Sequence, residues 1–319
     1  MSLEDFLGTS FTNNLVNLII SFLEVSEMTE PKRATSLSEL DTIFENFRTP
    51  EGEAHGLAYQ PDPTDIFVVT PAKCGTTWTQ QIVHGLRTRG SMDFDEITRV
   101  VPWIEMAKDM GIDIYKPQPA NPRAFKTHKN LAEVPKGGKY ISVVRDPRDA
   151  MLSLYHFFEG WIFEKGSIAL EDFAVNFYLS TDGRGYWKHI IALWDRRKDN
   201  DVLPLCYEDM KQDLPSTVEK VAGFMEIDLD DELKDIVVTQ SDFKFMNEHN
   251  HKFDDHIVRE TRNAVCGIPA DGTTSKVKNG NVGESKMHLS EEVMAHSAGA
   301  HCRRKDFACF QPWEIEVPL

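Results

Sequence analysis

His128 stands two residues after Lys126 in the run Lys126-Thr127-His128. An imidazole near its ordinary pKa is the usual general base toward a hydroxyl or an amine. A cation beside it stabilises charge developing on a transferred anionic group and disfavours a protonated ring in the resting state. The chain has 11 histidines, so a histidine alone carries little weight. Its lysine neighbour is what singles out His128.

Two other clusters suit phosphate. Pro71-Ala72-Lys73-Cys74-Gly75-Thr76-Thr77-Trp78 follows an apolar run and opens a helical pattern. Gly75 permits close backbone approach, and the unpaired N–H groups at a helix start form an anion site. Lys73 adds a mobile charge, and Thr76 and Thr77 add hydroxyls. The order is not that of a Walker A loop, because the lysine precedes the glycine. An ordinary strand-to-helix turn with a threonine cap is the alternative. In the second cluster Arg145 ends an apolar run and Ser153 follows eight residues later. A guanidinium fork and a hydroxyl can jointly grip a phosphate, although Arg145 serves equally as a salt-bridge former. Arg148 and Asp149 fit a first-turn ion pair. Together the two clusters point to a ligand with two separated phosphates.

These residues need elements to hold them. Ile66–Val69, Tyr140–Val144 and Val202–Cys206 are apolar runs that predict buried strands. Thr76–Arg89, with Trp78, Ile82, Val83 and Leu86, predicts a helix, as does Pro147–Phe158. Strands alternating with helices predict an α/β fold, a P-loop-like three-layer arrangement with a central parallel sheet flanked by helices. Ligands in such sheets bind beyond the carboxyl ends of the strands, where both clusters fall. Residues 26–64, rich in Glu, Pro, Thr and Ser, read as a loose entry arm. Leu15, Leu18, Ile19, Phe22 and Leu23 form one apolar helical stripe, too short to span a bilayer.

Composition narrows the classes. With 41% hydrophobic and 27% charged residues, the 319-residue chain is globular rather than disordered. A formal net charge of −16 argues against non-specific nucleic-acid or anionic-membrane partners. The 5 scattered cysteines contain no C-x-x-C pair, so neither zinc nor dithiol redox chemistry is indicated, and no metal is expected. His301, Cys302 and Cys309 read as an incidental reduced cluster. Reduced thiols fit a cytoplasmic location.

Read in order, these segments resemble the cytosolic-type sulfotransferase family that uses 3′-phosphoadenosine 5′-phosphosulfate (PAPS). Lys73-Cys74-Gly75-Thr76-Thr77-Trp78 looks like its 5′-phosphosulfate loop, with Cys74 in place of the usual Ser. Lys126-Thr127-His128 matches its Lys-Thr-His, and Arg145 to Ser153 its 3′-phosphate motif. Tyr207-Glu208-Asp209-Met210 is similar to a segment whose Tyr contacts the nucleotide. Ser241-Asp242-Phe243 resembles an adenine-side segment, and Val101-Pro102-Trp103-Ile104-Glu105 an acceptor-pocket segment. The resemblance spans roughly residues 40–290. It implies a domain over 36–319 after an amphipathic helical extension, 1–35.

The resemblance implies that His128 is the base and that Lys73 and Lys126 stabilise transferred charge. Thr76 and Thr77 would hold the 5′-phosphate, and Arg145 and Ser153 the 3′-phosphate. Trp78 and Phe243 would flank adenine. Lys278 and the Gly280 backbone would meet the 3′-phosphate, with Asn279 lacking the family's charge. Trp103, Phe157, Phe158 and Trp161 would wall the pocket of a small-molecule acceptor, although all four also suit a core. Residues 244–276 would form a lid over it. The family's dimer contact lacks its usual residues around Ser290–Glu292, so a homodimer stays open. Two other readings stand beside this one: an ATP-dependent phosphoryl transferase of P-loop type, and a nucleotide-binding protein without catalysis.

Overall fold

Ile66-Phe67-Val68-Val69 is buried along its whole length, and its alternate side chains feed two separate cores. Phe67 and Val69 join one cluster, Ile66 and Val68 the other. A strand packed on both faces needs a layer above and a layer below. The computed structural model describes residues 30–178, 185–272 and 283–290. In it β1 (Ile66–Val69) belongs to a four-stranded sheet with β2 (Ala124–Thr127), β3 (Lys139–Val144) and β4 (Val202–Cys206), in the order β2-β1-β3-β4. All three pairings are parallel. The architecture is the α/β three-layer sandwich that the alternating pattern predicts.

The main helices among the described residues are α1 (Leu37–Phe47), α2 (Pro50–Leu57), α3 (Thr76–Thr88), α4 (Pro147–Phe158) and α5 (Tyr186–Arg196). They continue with α6 (Tyr207–Gln212), α7 (Leu214–Met225), α8 (Asp231–Gln240), α9 (Phe243–Glu248) and α10 (His256–Arg262). The chain leaves β1 through α3 toward β2 on one side, and leaves β3 through α4 toward β4 on the other. The adjacent carboxyl ends of β1 and β3 therefore flank a switch point, where an open parallel sheet leaves a crevice.

Two expectations are corrected. Residues 37–57 are not a loose arm but the helices α1 and α2. Ser36 caps α1 by accepting from the Glu39 amide at 3.3 Å, and Leu40, Ile43 and Phe47 are buried on one stripe. Thr49 caps α2 and donates to Asp109 at 2.6 Å. α2 can press against the segment holding Trp103 because Gly56 has no Cβ, which would stand 2.1 Å from the Ile104 carbonyl oxygen. The second correction concerns α4. Arg148 pairs with Asp146 rather than Asp149. Asp149 instead accepts from the backbone amides of Gly283 and Ser285 at 2.6 and 3.0 Å.

The Leu15–Leu23 stripe and His301, Cys302 and Cys309 lie outside the described residues. Among the described residues no helix is long and apolar enough to cross a membrane.

Candidate active site

The loop after β1 turns sharply into α3. Lys73 has φ +66° and Gly75 φ +92°, ψ +18°. At Gly75 a side chain is excluded twice, by the left-handed backbone and by Tyr207, whose ring a Cβ would meet at 3.0 Å. No side chain caps α3, so its first amides are left for a ligand, as a helix-start anion site requires. Thr76 is fixed by a 2.6 Å hydroxyl contact with Thr70.

Arg145, at the end of β3, reaches across the switch point. Its Nη1 donates to the Lys73 carbonyl at 3.1 Å, and its guanidinium lies 4.3 Å from the centre of the Tyr207 ring. Both phosphate clusters thus meet at one place. Trp78 Nε1 donates to the Ser241 carbonyl at 2.7 Å, which ties the start of α3 to the Ser241–Phe243 segment. Ser241 is 1% exposed, and its hydroxyl has no partner among the described residues. A buried orphan hydroxyl beside an uncapped helix start fits a polar, anionic ligand. Cys74 is fully buried, and burial drives its thiol well above the usual range. The thiol is therefore neutral and no nucleophile.

His128 follows β2 directly. Its Nδ1 lies 2.9 Å from the Thr70 carbonyl oxygen. A carbonyl only accepts, so Nδ1 carries the hydrogen and the lone pair of the neutral ring sits on Nε2. The His128 amide donates to Glu105 at 2.8 Å. Its carbonyl accepts from His189 Nε2 at 2.9 Å, and the Trp103 indole packs edge-on at 5.0 Å. Burial pushes His189 down to about 4, so it is a neutral strut for the His128 backbone. Lys126, 2% exposed, has its Nζ 4.7 Å from the Trp103 ring centre and 3.7 Å from Asp255 Oδ1.

One cavity of about 560 Å³ collects these groups, within the usual range for small-molecule sites. Lys73, Gly75, Thr76, Thr77, Trp78, Arg145, Ser153, Tyr207, Ser241 and Phe243 line it together with Lys126 and His128. Trp103, Phe157, Phe158 and Trp161 form an apolar wall. Lys73 reaches that wall, its ammonium 3.9 Å above the Phe157 ring. Cys74 does not line the cavity, its Sγ lying 3.8 Å from the Ala72 carbonyl. Lys278, Asn279 and Gly280 lie outside the described residues. The stretch expected to form a lid is described as far as residue 272 and holds α9, α10 and the turns between and after them, with Met246, Asp255 and Val258 facing the cavity.

Sequence reasoning missed several lining residues. Phe44, Phe47 and Arg48 come from the end of α1, in the stretch read as an arm. The spacing Leu37, Leu40, Ile43, Phe44, Phe47 behind Ser36 and Glu39 was the available signal. Asp255 carried no local signal, because its partner Lys126 is remote in sequence.

Comparison with known proteins agrees with this geometry. The profile described as "Sulfotransferase domain" matches residues 63–305, more than half of the chain. Rat sulfotransferase 1C2 is 27% identical over 279 residues, covering 82% of this chain and 90% of its own. Rabbit amine sulfotransferase is 30% identical over 243 residues, covering 72% and 76%. A crystal structure of mouse sulfotransferase SULT7A1 complexed with PAP superposes with a TM-score of 0.62 at 19% identity, over 84% of this chain and 95% of that one. Retinol dehydratase in complex with androsterone and inactive cofactor PAP gives 0.61 at 20% identity, over 87% and 88%. With sequence profile, relatives and fold in agreement, the chain belongs to the sulfotransferase family.

Proposed function

We propose that this enzyme transfers a sulfuryl group from PAPS to a hydroxyl or amine of a small-molecule acceptor, with His128 as general base and no metal. One observation carries the reading. A single cavity holds an imidazole whose neutral lone pair is on Nε2, the Lys73 and Lys126 ammonium groups, an uncapped helix start and the Arg145 guanidinium. The solved PAP complexes of SULT7A1 and retinol dehydratase, which share the fold, support the donor's identity.

The uncapped start of α3, with Thr76 and Thr77, would hold the 5′-phosphate. Arg145 and Ser153, with Lys278–Gly280, would hold the 3′-phosphate. Tyr207 and Ser241 would contact the nucleotide, and Trp78 and Phe243 flank adenine. When bound, the donor supplies a sulfuryl group whose bond to the bridging phosphate oxygen breaks as the acceptor–sulfur bond forms, releasing adenosine 3′,5′-bisphosphate. His128 Nε2 takes the proton that the acceptor's hydroxyl or amine gives up. Lys73 and Lys126 oppose the negative charge that builds at the leaving oxygen and the sulfuryl group. The aromatic wall excludes water from the acceptor's side.

The test is transfer of ³⁵S from the labelled donor to a panel of phenols, aliphatic alcohols and amines, in the presence of a chelator. Label is expected to move without metal. His128→Ala should lower transfer by about 10²–10⁴-fold while the bisphosphate still binds with similar affinity. Equal loss of binding would make His128 structural instead.

A further inference from the structure

Lys126 is a charged group in an expensive position. Its side chain is 2% exposed, and burial of this kind pushes an ammonium toward its neutral form unless an opposite charge stands close. The Asp255 carboxylate meets it inside the cavity at 3.7 Å and is itself 7% exposed. Asp255 holds this place in a left-handed conformation, φ +58°, immediately before α10. The other charged groups around Lys126 come from separate elements. Lys73 belongs to the β1–α3 loop, His128 follows β2, Arg145 follows β3, Arg48 follows α1, Lys211 sits on α6 and the acidic Asp242 caps α9, all lining the cavity. Glu105 lies behind His128, accepting from its amide. The four other cations lining this space favour a neutral Lys126, as does any protonation of His128.

We infer that Asp255 is a positioning residue that keeps Lys126 in its ammonium form and aimed into the site, and so sets the alkaline limit of activity. The inference rests on the proposed transfer reaction only for the role of that ammonium; the ion pair itself can be read without turnover. A neutral Lys126 cannot oppose negative charge on a sulfuryl group, so activity must end where the ammonium is lost. The acidic limit comes from His128, which must be neutral to accept a proton.

The experiment compares the full chain with Asp255→Asn, Lys126→Arg and the double variant. The kcat profile from pH 5.5 to 10.5 is expected to lose its alkaline limb about 1–3 pH units earlier in Asp255→Asn. The double variant should recover that limb, because a guanidinium stays charged throughout. In parallel, protein labelled with [ε-¹³C]lysine is titrated by NMR without nucleotide, with Lys126→Arg identifying the resonance. Its midpoint should fall by the same interval in Asp255→Asn. If the midpoint stays put, or the profile drops uniformly without moving its alkaline limb, the inference is wrong. If the wild type moves no sulfuryl group at any pH, the proposed reaction fails, while the NMR titration still decides the ion pair.

Discussion

Asp149→Asn tests how the segment at Gly283–Ser285 is tied to the proposed nucleotide site. Asp149, 3% exposed in the first turn of α4, accepts from the amides of Gly283 and Ser285 at 2.6 and 3.0 Å. Gly283 comes three positions after Gly280, the last residue proposed to meet the 3′-phosphate. Hydrogen bonds to a charged acceptor contribute about 1.5–3 kcal/mol each. Asparagine keeps one neutral bond of about 1 kcal/mol and turns its amide donors toward the other N–H. The net loss is about 2 kcal/mol or more, equivalent to about 30-fold in a local ordering equilibrium. Calorimetric titration with adenosine 3′,5′-bisphosphate and with adenosine 5′-phosphate separates the local effect from a general one. The bisphosphate should weaken by about that factor, and the monophosphate, lacking the 3′ group, by no more than a few-fold. Amide exchange should also speed up over 283–290. Equal weakening of both nucleotides, or none of either, would refute the chain of reasoning from Asp149 through Gly283 to the 3′-phosphate.

Two further outcomes are expected. Gly75→Ala places a Cβ 3.0 Å from the Tyr207 ring at φ +92°. This should cost about 1–2 kcal/mol for the left-handed backbone alone, seen as a Tm lower by several degrees and weaker bisphosphate binding. An unchanged Tm with unchanged binding contradicts the loop geometry. His189, buried and pushed down to about 4, takes up a proton on unfolding at any pH between there and about 6.5. The unfolded state binds more protons in that window, so stability falls as pH drops from 6.5 toward 4, by a total of roughly 3 kcal/mol from this residue. His189→Gln, which retains a donor toward the His128 carbonyl, should flatten that part of the stability–pH curve. Denaturation midpoints that keep the same pH slope in the variant would rule this account out.

What could be read from sequence follows from where the information is local. β1, β3 and β4 are apolar runs between turn residues, and each was legible. β2 was not, because Ala124-Phe125-Lys126-Thr127 has one large apolar side chain and ends in two polar residues. It is buried throughout all the same, held by β1 on one side and by the backbone of Pro102 and Ile104 on the other. α1 was lost for the opposite reason. Its capping and apolar spacing were present, but Glu, Pro, Thr and Ser around it masked them. The loops proposed to hold phosphate were legible because such a site, made of successive amides and neighbouring hydroxyls, is a local object. Asp255, Asp149 and His189 act on partners 129, 134 and 61 positions away, and no window on the chain contains both ends of such a contact.

Phe44, Phe47 and Arg48 line the cavity from upstream of residue 63, where the match to the sulfotransferase profile starts. In the proposed reaction, part of the acceptor wall therefore comes from a stretch that holds none of the nucleotide loops, while Trp103, Phe157, Phe158 and Trp161 lie among them. A change at the end of α1 would reshape that wall without touching the loops proposed to hold the nucleotide. Exchanging that helix between relatives is accordingly a direct route to redirected selectivity.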